Sequence, residues 1–307
     1  QPERRPFYED TWREVCRTRF FHSLLALCDL ARDEIWPTGR WREALQVWSE
    51  EGLVLRSWRY AAPLVRTMPD KVMQEIVHGV TWWIEAASKS VDRHEDILLN
   101  LCHRVLALPL EADTGIMHNG EAIDQPFNEA INHPIGHVTQ ALISLWFKRN
   151  PSDNDLLSAD FKPSFTALCD VRVDRYRHGR VLLGSRLISF FRVDRPWTEQ
   201  HLLPLFSWNN PAEAKGVWEG FLWSPRLYQP LLTAFKNQFL ETANQYSYLG
   251  ERRQQFAAFL TYAALGPIDG FPVDDFRSAI GALPQDGLEE SAQSLAQALE
   301  GTADQRE

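Results

Sequence analysis

Two histidines, His133 and His137, stand four positions apart in the stretch NEAINHPIGHVTQ, residues 128–140. A pair at this spacing on one helix can hold a transition metal, as in metalloproteases, where a Glu directly after the first His is the general base. Here Pro134 takes the place of that Glu. Proline is favoured at the first helical position, because its missing N–H would have no partner there. The stretch therefore predicts a helix capped by Asn132 or His133, with metal binding as the minor alternative.

The residues after Pro134 set the expected orientation of the second histidine. An apolar stripe with helical spacing follows, made of Ile135, Val138, Leu142 and Leu145. His137 falls on the opposite face, together with Gln140, so we expect it to be exposed. We take Asn132, His133 and His137 as candidate contacts for a protein partner or ligand.

Residues 171–195 carry seven Arg against two Asp in a chain whose net charge is −9. Guanidinium groups form paired hydrogen bonds with carboxylates and phosphates. One interpretation is neutralisation by acids on neighbouring helices; the alternative is a basic groove for nucleic acid or an acidic partner. The candidate anion or nucleic-acid contacts are Arg172, Arg175, Arg177 and Arg180.

An aromatic run in residues 205–232 recurs at roughly helical spacing, with Trp208, Trp218, Phe221 and Trp223. Core packing between helices is the first interpretation. A protein-binding groove is the second, because Trp, Tyr and Arg dominate binding hot spots. Trp218 and Trp223 are therefore also candidate partner contacts.

Other chemistry finds little support in the sequence. There is no GxSxG nucleophile elbow, no CxxC pair and no glycine-rich phosphate loop. We predict no catalytic residue, no metal ligand set and no cofactor within these residues.

The elements that must position these residues are helical. Apolar residues make up 44% of the 307 residues and charged residues 24%, as in an ordinary globular protein. No apolar run reaches the length of a membrane span. The acidic balance argues against general binding to nucleic acid or anionic membranes. The four scattered Cys indicate reduced core thiols and a cytoplasmic location.

Apolar spacing of three and four residues continues along almost the whole chain. This predicts an all-α fold, either an irregular α-solenoid of the HEAT/armadillo-like kind or a multi-helical bundle of stacked helical hairpins. We expect N-terminal hairpins in residues 1–110, a loop in 111–127, a helical repeat region in 128–285, and an acidic, partly frayed tail in 286–307.

Two stretches resemble a known family: NEAINHPIGHVTQALISLWF, residues 128–147, and FSWNNPAEAKGVWEGFLWSPRLYQPLLTAFKNQF, residues 206–239. They are similar to the helical region of the DUF4020 type, which follows a SIR2-like domain in some bacterial proteins. Related architectures occur in anti-phage defence, where the SIR2-like part hydrolyses NAD and the helical part senses or assembles. The resemblance covers about the last two thirds of the chain.

This resemblance implies a non-catalytic sensing or scaffolding region, with NAD bound only in an upstream domain. The opening QPERRPFYED has no Met, and we expect it to follow a cut within a longer protein. The expected partner is a phage protein or a second copy, giving a homo-oligomer. The alternatives are a nucleic-acid-binding module that uses the Arg cluster and, last, a metal enzyme at the two histidines.

Overall fold

A computed structural model describes residues 11–112, 117–118, 121–122 and 125–303. These residues form an all-α, multi-helical fold, which confirms the predicted fold class. The helices of the first half are α1 (Thr11–Thr18), α2 (Phe20–Arg32), α3 (Thr38–Trp48), α4 (Val54–Val65), α5 (Asp70–Glu75), α6 (Val77–Ser88), α7 (Glu95–Ala107), α8 (Pro126–Asn132) and α9 (Pro134–Lys148). Those of the second half are α10 (Lys162–Leu168), α11 (Arg177–Gly184), α12 (Leu187–Val193), α13 (Arg195–Trp197), α14 (Pro211–Leu222), α15 (Gln229–Ala234), α16 (Lys236–Thr242), α17 (Arg253–Ala264), α18 (Val273–Gly281) and α19 (Gln285–Ala303).

Short segments of other geometry connect some of these helices. Asp174–Tyr176, Leu203–Phe206 and Ala243–Arg252 are 3₁₀-helical, and Thr198–Leu202 is π-helical. A two-residue antiparallel pair joins β1 (Met117–His118) to β2 (Glu121–Ala122).

The chain divides into two compact units at boundaries that differ from the predicted ones. Unit 1 holds the described residues up to Glu111 together with Asn132–Asn150, and unit 2 holds the described part of Ala112–Ile131 together with the residues from Pro151 onward. The region predicted as one repeat array, 128–285, is therefore split, because α9 packs against α6 and α7 of unit 1. The predicted loop 111–127 ends earlier, since α8 begins at Pro126, and much of it lies outside the described residues.

Unit 1 is built from two rows of helices. In one row α1 packs on α3, α3 on α6 and α6 on α9, while α2, α4 and α7 pack beside them. Tryptophans fill the core between the rows: Trp41, Trp48, Trp58 and Trp83 are fully buried. The Trp83 indole donates to the Ser57 hydroxyl at 2.9 Å, so its polar edge is satisfied inside the core. Pro63 lies within the last turn of an undivided α4.

Unit 2 centres on the pair α11 and α14, whose backbones approach closely. A Cβ atom added at Gly184 would lie 2.8 Å from the Val217 carbonyl oxygen, and one at Gly220 would overlap the Val181 carbonyl oxygen. Only glycine leaves room for this approach. Farther along, α19 packs on α17. The predicted tail 286–307 is helical as far as Ala303, and residues 304–307 lie outside the described residues.

No helix within the described ranges combines the length and the apolar character needed to cross a membrane.

Candidate functional site

His133 caps helix α9, in agreement with the predicted helix start. Its backbone is extended, with φ −86° and ψ 144°, and its Nδ1 accepts a hydrogen bond from the Ile135 N–H at 3.1 Å. Because Nδ1 accepts, the proton of the neutral ring lies on Nε2, which donates to the Glu111 carbonyl oxygen at 2.9 Å. Both ring nitrogens are engaged and only 4% of the residue is exposed, so His133 is a structural cap.

The prediction that His137 is exposed was wrong. Only 5% of the residue is exposed, and its Nδ1 lies 2.5 Å from the Glu85 carboxylate on α6. The amphipathic pattern assumed one buried face, whereas α9 packs against both α6 and α7 and is buried on nearly all sides. His137 is thereby excluded as a partner contact; Asn132, exposed beside it, remains a candidate.

The Glu85–His137 pair has the geometry of a carboxylate that orients an imidazole. Burial raises the pKa of Glu85, but the hydrogen bond and charge of His137, with Lys89 adding to them, outweigh burial and leave that pKa below its ordinary value. His137 Nε2 is buried and finds no partner among the described residues. The described part of the chain holds no group of three or more His, Cys, Asp or Glu residues able to bind a metal ion.

Arg180 lies at the centre of the Arg cluster and is completely buried. Two of its nitrogens donate to the Glu213 carboxylate of α14, each at 2.6 Å, and Nη1 donates to the Asp170 carbonyl oxygen at 2.9 Å. Its prediction as a nucleic-acid contact was therefore wrong. A guanidinium with no exposed surface neutralises the partly buried Glu213 carboxylate between α11 and α14.

The other three candidates of this cluster are also engaged with protein groups. Arg172 is exposed but donates through Nε and Nη2 to the Asp170 carboxylate at 2.9 and 2.8 Å. Arg177 donates to the Ala112 carbonyl oxygen and lies near Asp174. The Arg175 guanidinium lies 4.9 Å from the centre of the Tyr176 ring. This geometry favours internal neutralisation over a basic groove.

Trp218 and Trp223, five residues apart, have opposite environments. Trp218 is fully buried, stacks on Phe235 with ring centroids 5.5 Å apart, and donates to the Phe206 carbonyl oxygen. Its candidacy as a partner contact was wrong, because no partner can reach it. Trp223, at the C-cap of α14, is 46% exposed.

Two neighbours hold Trp223 in place at the surface. The Phe127 ring stacks on it, with centroids 4.1 Å apart and planes 17° from parallel. The Arg252 guanidinium carbon lies 4.3 Å from the Trp223 ring centroid, within cation–π range. We call Phe127, Trp223, Arg226 and Arg252 the Trp223 surface. A large aromatic side chain that is both exposed and fixed is the chemistry of a binding hot spot.

Backbone geometry brings both neighbours to the indole. The Phe127 N–H donates to the Glu219 carboxylate at 3.1 Å, which ties α8 to α14. Gly250 adopts φ 56° and ψ −128° within the 3₁₀ segment just before Arg252. Residues with a Cβ rarely adopt this conformation, so Gly250 permits the change of direction that precedes Arg252.

Arg226 adds a further positive charge in the segment that follows α14. Arg226, exposed three residues after Trp223, meets Arg186 and Arg192 at a small groove of about 180 Å³. No carboxylate of the described residues pairs with Arg226, whereas Arg192 pairs with Asp153 at 3.0 Å. The Trp223 surface thus offers a partly exposed indole accompanied by guanidinium groups.

Two larger clefts flank the Arg180–Glu213 pair. One of about 610 Å³ has Cys169, Asp170, His201 and Asn210 among its lining residues, and Glu213 lines both it and a second cleft of about 390 Å³. Burial raises the pKa of the Cys169 thiol to about 12, so it is not a thiolate nucleophile at neutral pH.

Sequence reasoning missed several residues that matter here. Glu85 and Glu213 lie 52 and 33 positions from their partners, and no local pattern links them. Arg252 is likewise far from Trp223 along the chain. Phe21 and Tyr60 form a second exposed aromatic group, with ring centroids 5.3 Å apart. The sequence signal for this aromatic group is the spacing of Arg56 and Tyr60, which lie one helical turn apart on α4.

No family model, curated protein or solved structure matches this chain.

Proposed function

We propose that this chain is a non-catalytic helical region that recognises a protein partner, and that the Trp223 surface is where it does so. The observation that carries the proposal is an indole that is 46% exposed yet held between the Phe127 ring and the Arg252 guanidinium. A side chain fixed before binding loses little conformational entropy when a partner covers it. Such preorganised aromatics contribute most of the affinity in many interfaces.

The charge around the indole supports a particular partner chemistry. Arg252 lies over the Trp223 ring, and Arg226, three residues after Trp223, lines a groove together with Arg186 and Arg192. A complementary partner segment carries an apolar side chain to cover the indole and Asp or Glu residues beside it. An anionic nucleic acid would also match the charge, but three of the four candidate residues of the Arg cluster donate to protein acceptors.

The resemblance to DUF4020-type regions supplies a context for this partner. In that context the chain is the sensing or scaffolding part of a larger bacterial defence protein, with an NAD-hydrolysing SIR2-like domain upstream. The partner is then a phage component or another copy of the same protein. The chain's own residues contribute recognition, and the enzyme activity belongs to the upstream domain.

Selection from a random-peptide library tests the proposal and at the same time defines the chemistry of the partner. The purified chain and its Trp223→Ala variant are immobilised and screened in parallel. We expect the wild-type chain to enrich peptides that combine an aromatic or aliphatic residue with Asp or Glu, and the variant to fail to enrich them. Trp82→Ala is the matched control, because Trp82 is 41% exposed on α6 of unit 1; it should enrich the same peptides as the wild type.

Two outcomes contradict the proposal. One is enrichment of the same peptides by the wild type and by Trp223→Ala, which places recognition elsewhere. The other is a wild-type chain that enriches no peptide above an unrelated helical protein.

A further inference from the structure

Two exposed faces at opposite ends of the sequence have complementary chemistry. The first lies on α2 and α4 and consists of Phe21, Leu25, Arg56, Arg59 and Tyr60; we call it the Phe21 patch. Phe21, Leu25 and Tyr60 are 42%, 61% and 45% exposed. Apolar side chains grouped at this exposure commonly mark an interaction site.

The guanidinium groups of the Phe21 patch are placed over its rings. The Arg56 guanidinium carbon lies 4.5 Å from the Phe21 ring centroid, and that of Arg59 lies 5.4 Å from the Tyr60 ring centroid. Neither Arg forms an ion pair with a carboxylate of the described residues. The patch therefore presents two aromatic rings and two positive charges, which an acidic and apolar partner would complement.

The second face lies on α19. Leu288, Leu295 and Leu299 are 42%, 40% and 63% exposed, and exposed Ala292 lies between the first two. Their spacing of four, three and four residues places them in one stripe along the helix. An adjoining side of α19 is buried through Ser291 and Ser294, and the helix packs on α17.

Acidic residues lie along the same helix as this leucine stripe. Residues 285–303 contain four acids and no Lys or Arg. Glu289 and Glu300 follow Leu288 and Leu299 directly, so both carboxylates border the stripe on the same side. Two α19 helices placed side by side would bring like charges together, which disfavours symmetric pairing of this helix with itself.

We propose that α19 of one copy of this chain docks on the Phe21 patch of a second copy. The leucine stripe covers Phe21, Leu25 and Tyr60, while the side of α19 that carries Glu289 and Glu300 faces Arg56 and Arg59. Because the two faces are different, the contact is head-to-tail: one copy keeps its Phe21 patch unused, and the other keeps its α19 stripe unused. Such contacts build rings when the rotation closes, or open filaments when it does not. This assembly uses neither Trp223 nor its neighbours, so it is independent of the proposed function.

Sedimentation velocity of the full chain with a charge-swap pair tests the docking. In one variant Arg56 and Arg59 are both changed to Glu; in the other Glu289 and Glu300 are both changed to Lys. We expect the wild type to associate as its concentration rises towards about 1 mM, which covers weak specific contacts. Each variant alone should stay monomeric. The mixture should associate, because the unaltered patch of one variant meets the unaltered α19 of the other, and the two altered faces also match in charge.

Several results would overturn the docking. A wild-type chain that remains monomeric throughout the range excludes it. Association of the Arg56→Glu, Arg59→Glu variant at the wild-type level shows that α19 pairs elsewhere, and so does loss of association in Trp223→Ala. A mixture that stays monomeric while both variants keep wild-type circular dichroism and thermal unfolding also contradicts it.

Discussion

Removal of the Glu213 carboxylate should destabilise unit 2 strongly, because it leaves the buried positive charge of Arg180 without a counter-ion. Arg180 has 0% of its side chain exposed, and Glu213 has 15%. Two hydrogen bonds of 2.6 Å join them, and the remaining donor, Nη1, has only backbone carbonyl oxygens as acceptors. Breaking a buried pair by deleting one partner typically costs about 3–5 kcal/mol. We expect Glu213→Ala to lower the free energy of unfolding by about that amount.

Two companion variants distinguish the energetic cost of an unpaired buried charge from the cost of lost packing. Replacing both partners, with Arg180→Met and Glu213→Leu together, should restore most of the stability, since apolar pairs of similar volume often substitute for buried ion pairs. Asp274→Ala is the control for an exposed pair. It removes the contact between Arg277 and Asp274, whose side chains are 75% and 82% exposed, and should cost less than about 1 kcal/mol.

Urea unfolding followed by far-UV circular dichroism measures all three variants. A cost for Glu213→Ala no larger than that for Asp274→Ala would refute the reasoning. So would a double variant as unstable as Glu213→Ala alone, because stability would then depend on something other than the uncompensated charge.

Three further predictions concern packing, pH and thiol reactivity. Gly220→Ala should lower the free energy of unfolding in urea by about 1–3 kcal/mol, because the added methyl group forces α11 away from α14. Gly281→Ala, at a position with open space around it, should leave the free energy of unfolding almost unchanged. Equal losses in the two variants would contradict the close approach of α11 and α14. The folded-state pKa of Glu85 lies below its ordinary 4.5, so its stabilising effect is complete above that pH and is lost as pH falls. The stability difference between wild type and Glu85→Gln should therefore shrink on acidification below pH 4.5, and a constant difference would show that the hydrogen bond to His137 does not favour the ionised carboxylate. Cys169, with a pKa of about 12, should react with iodoacetamide at pH 8 far more slowly in the folded chain than in urea, and equal rates would contradict the raised pKa of its thiol.

Local signals in the sequence predicted local structure well. The bounds of α9 follow from Pro134 at its first turn and from the apolar stripe behind it. The Asn210–Pro211 pair likewise marks the start of α14. These signals succeed because caps and proline act within a turn of the residues they affect.

Breaks inside apolar stretches were harder to predict. The apolar spacing of residues 178–192 predicts one helix, but the chain is interrupted between α11 and α12 at Ser185 and Arg186. The region 225–246 is divided between α15, α16 and a 3₁₀ segment. Neither stretch has a proline at its break, and tertiary packing overrides the helical period there.

The exposure of individual site residues could not be read from periodicity. Trp218 and Trp223 belong to the same aromatic run, yet one is buried and the other is 46% exposed. His137 was assigned to a polar face that α6 covers, and Arg180 to a surface that α14 covers. A stripe identifies the most apolar face of a helix, but the number of neighbours that pack around the helix is decided by residues far away in the chain.

The most direct test of protein recognition through the Trp223 surface is the affinity of a selected peptide for two single variants. Isothermal titration of a peptide enriched on the wild-type chain should show binding weakened roughly thirty-fold by Trp223→Ala, which corresponds to a hot-spot loss of about 2 kcal/mol. Trp82→Ala, which removes an indole of similar exposure, should change the affinity less than about three-fold. Equal losses in the two variants, or no loss with Trp223→Ala, would contradict the proposal.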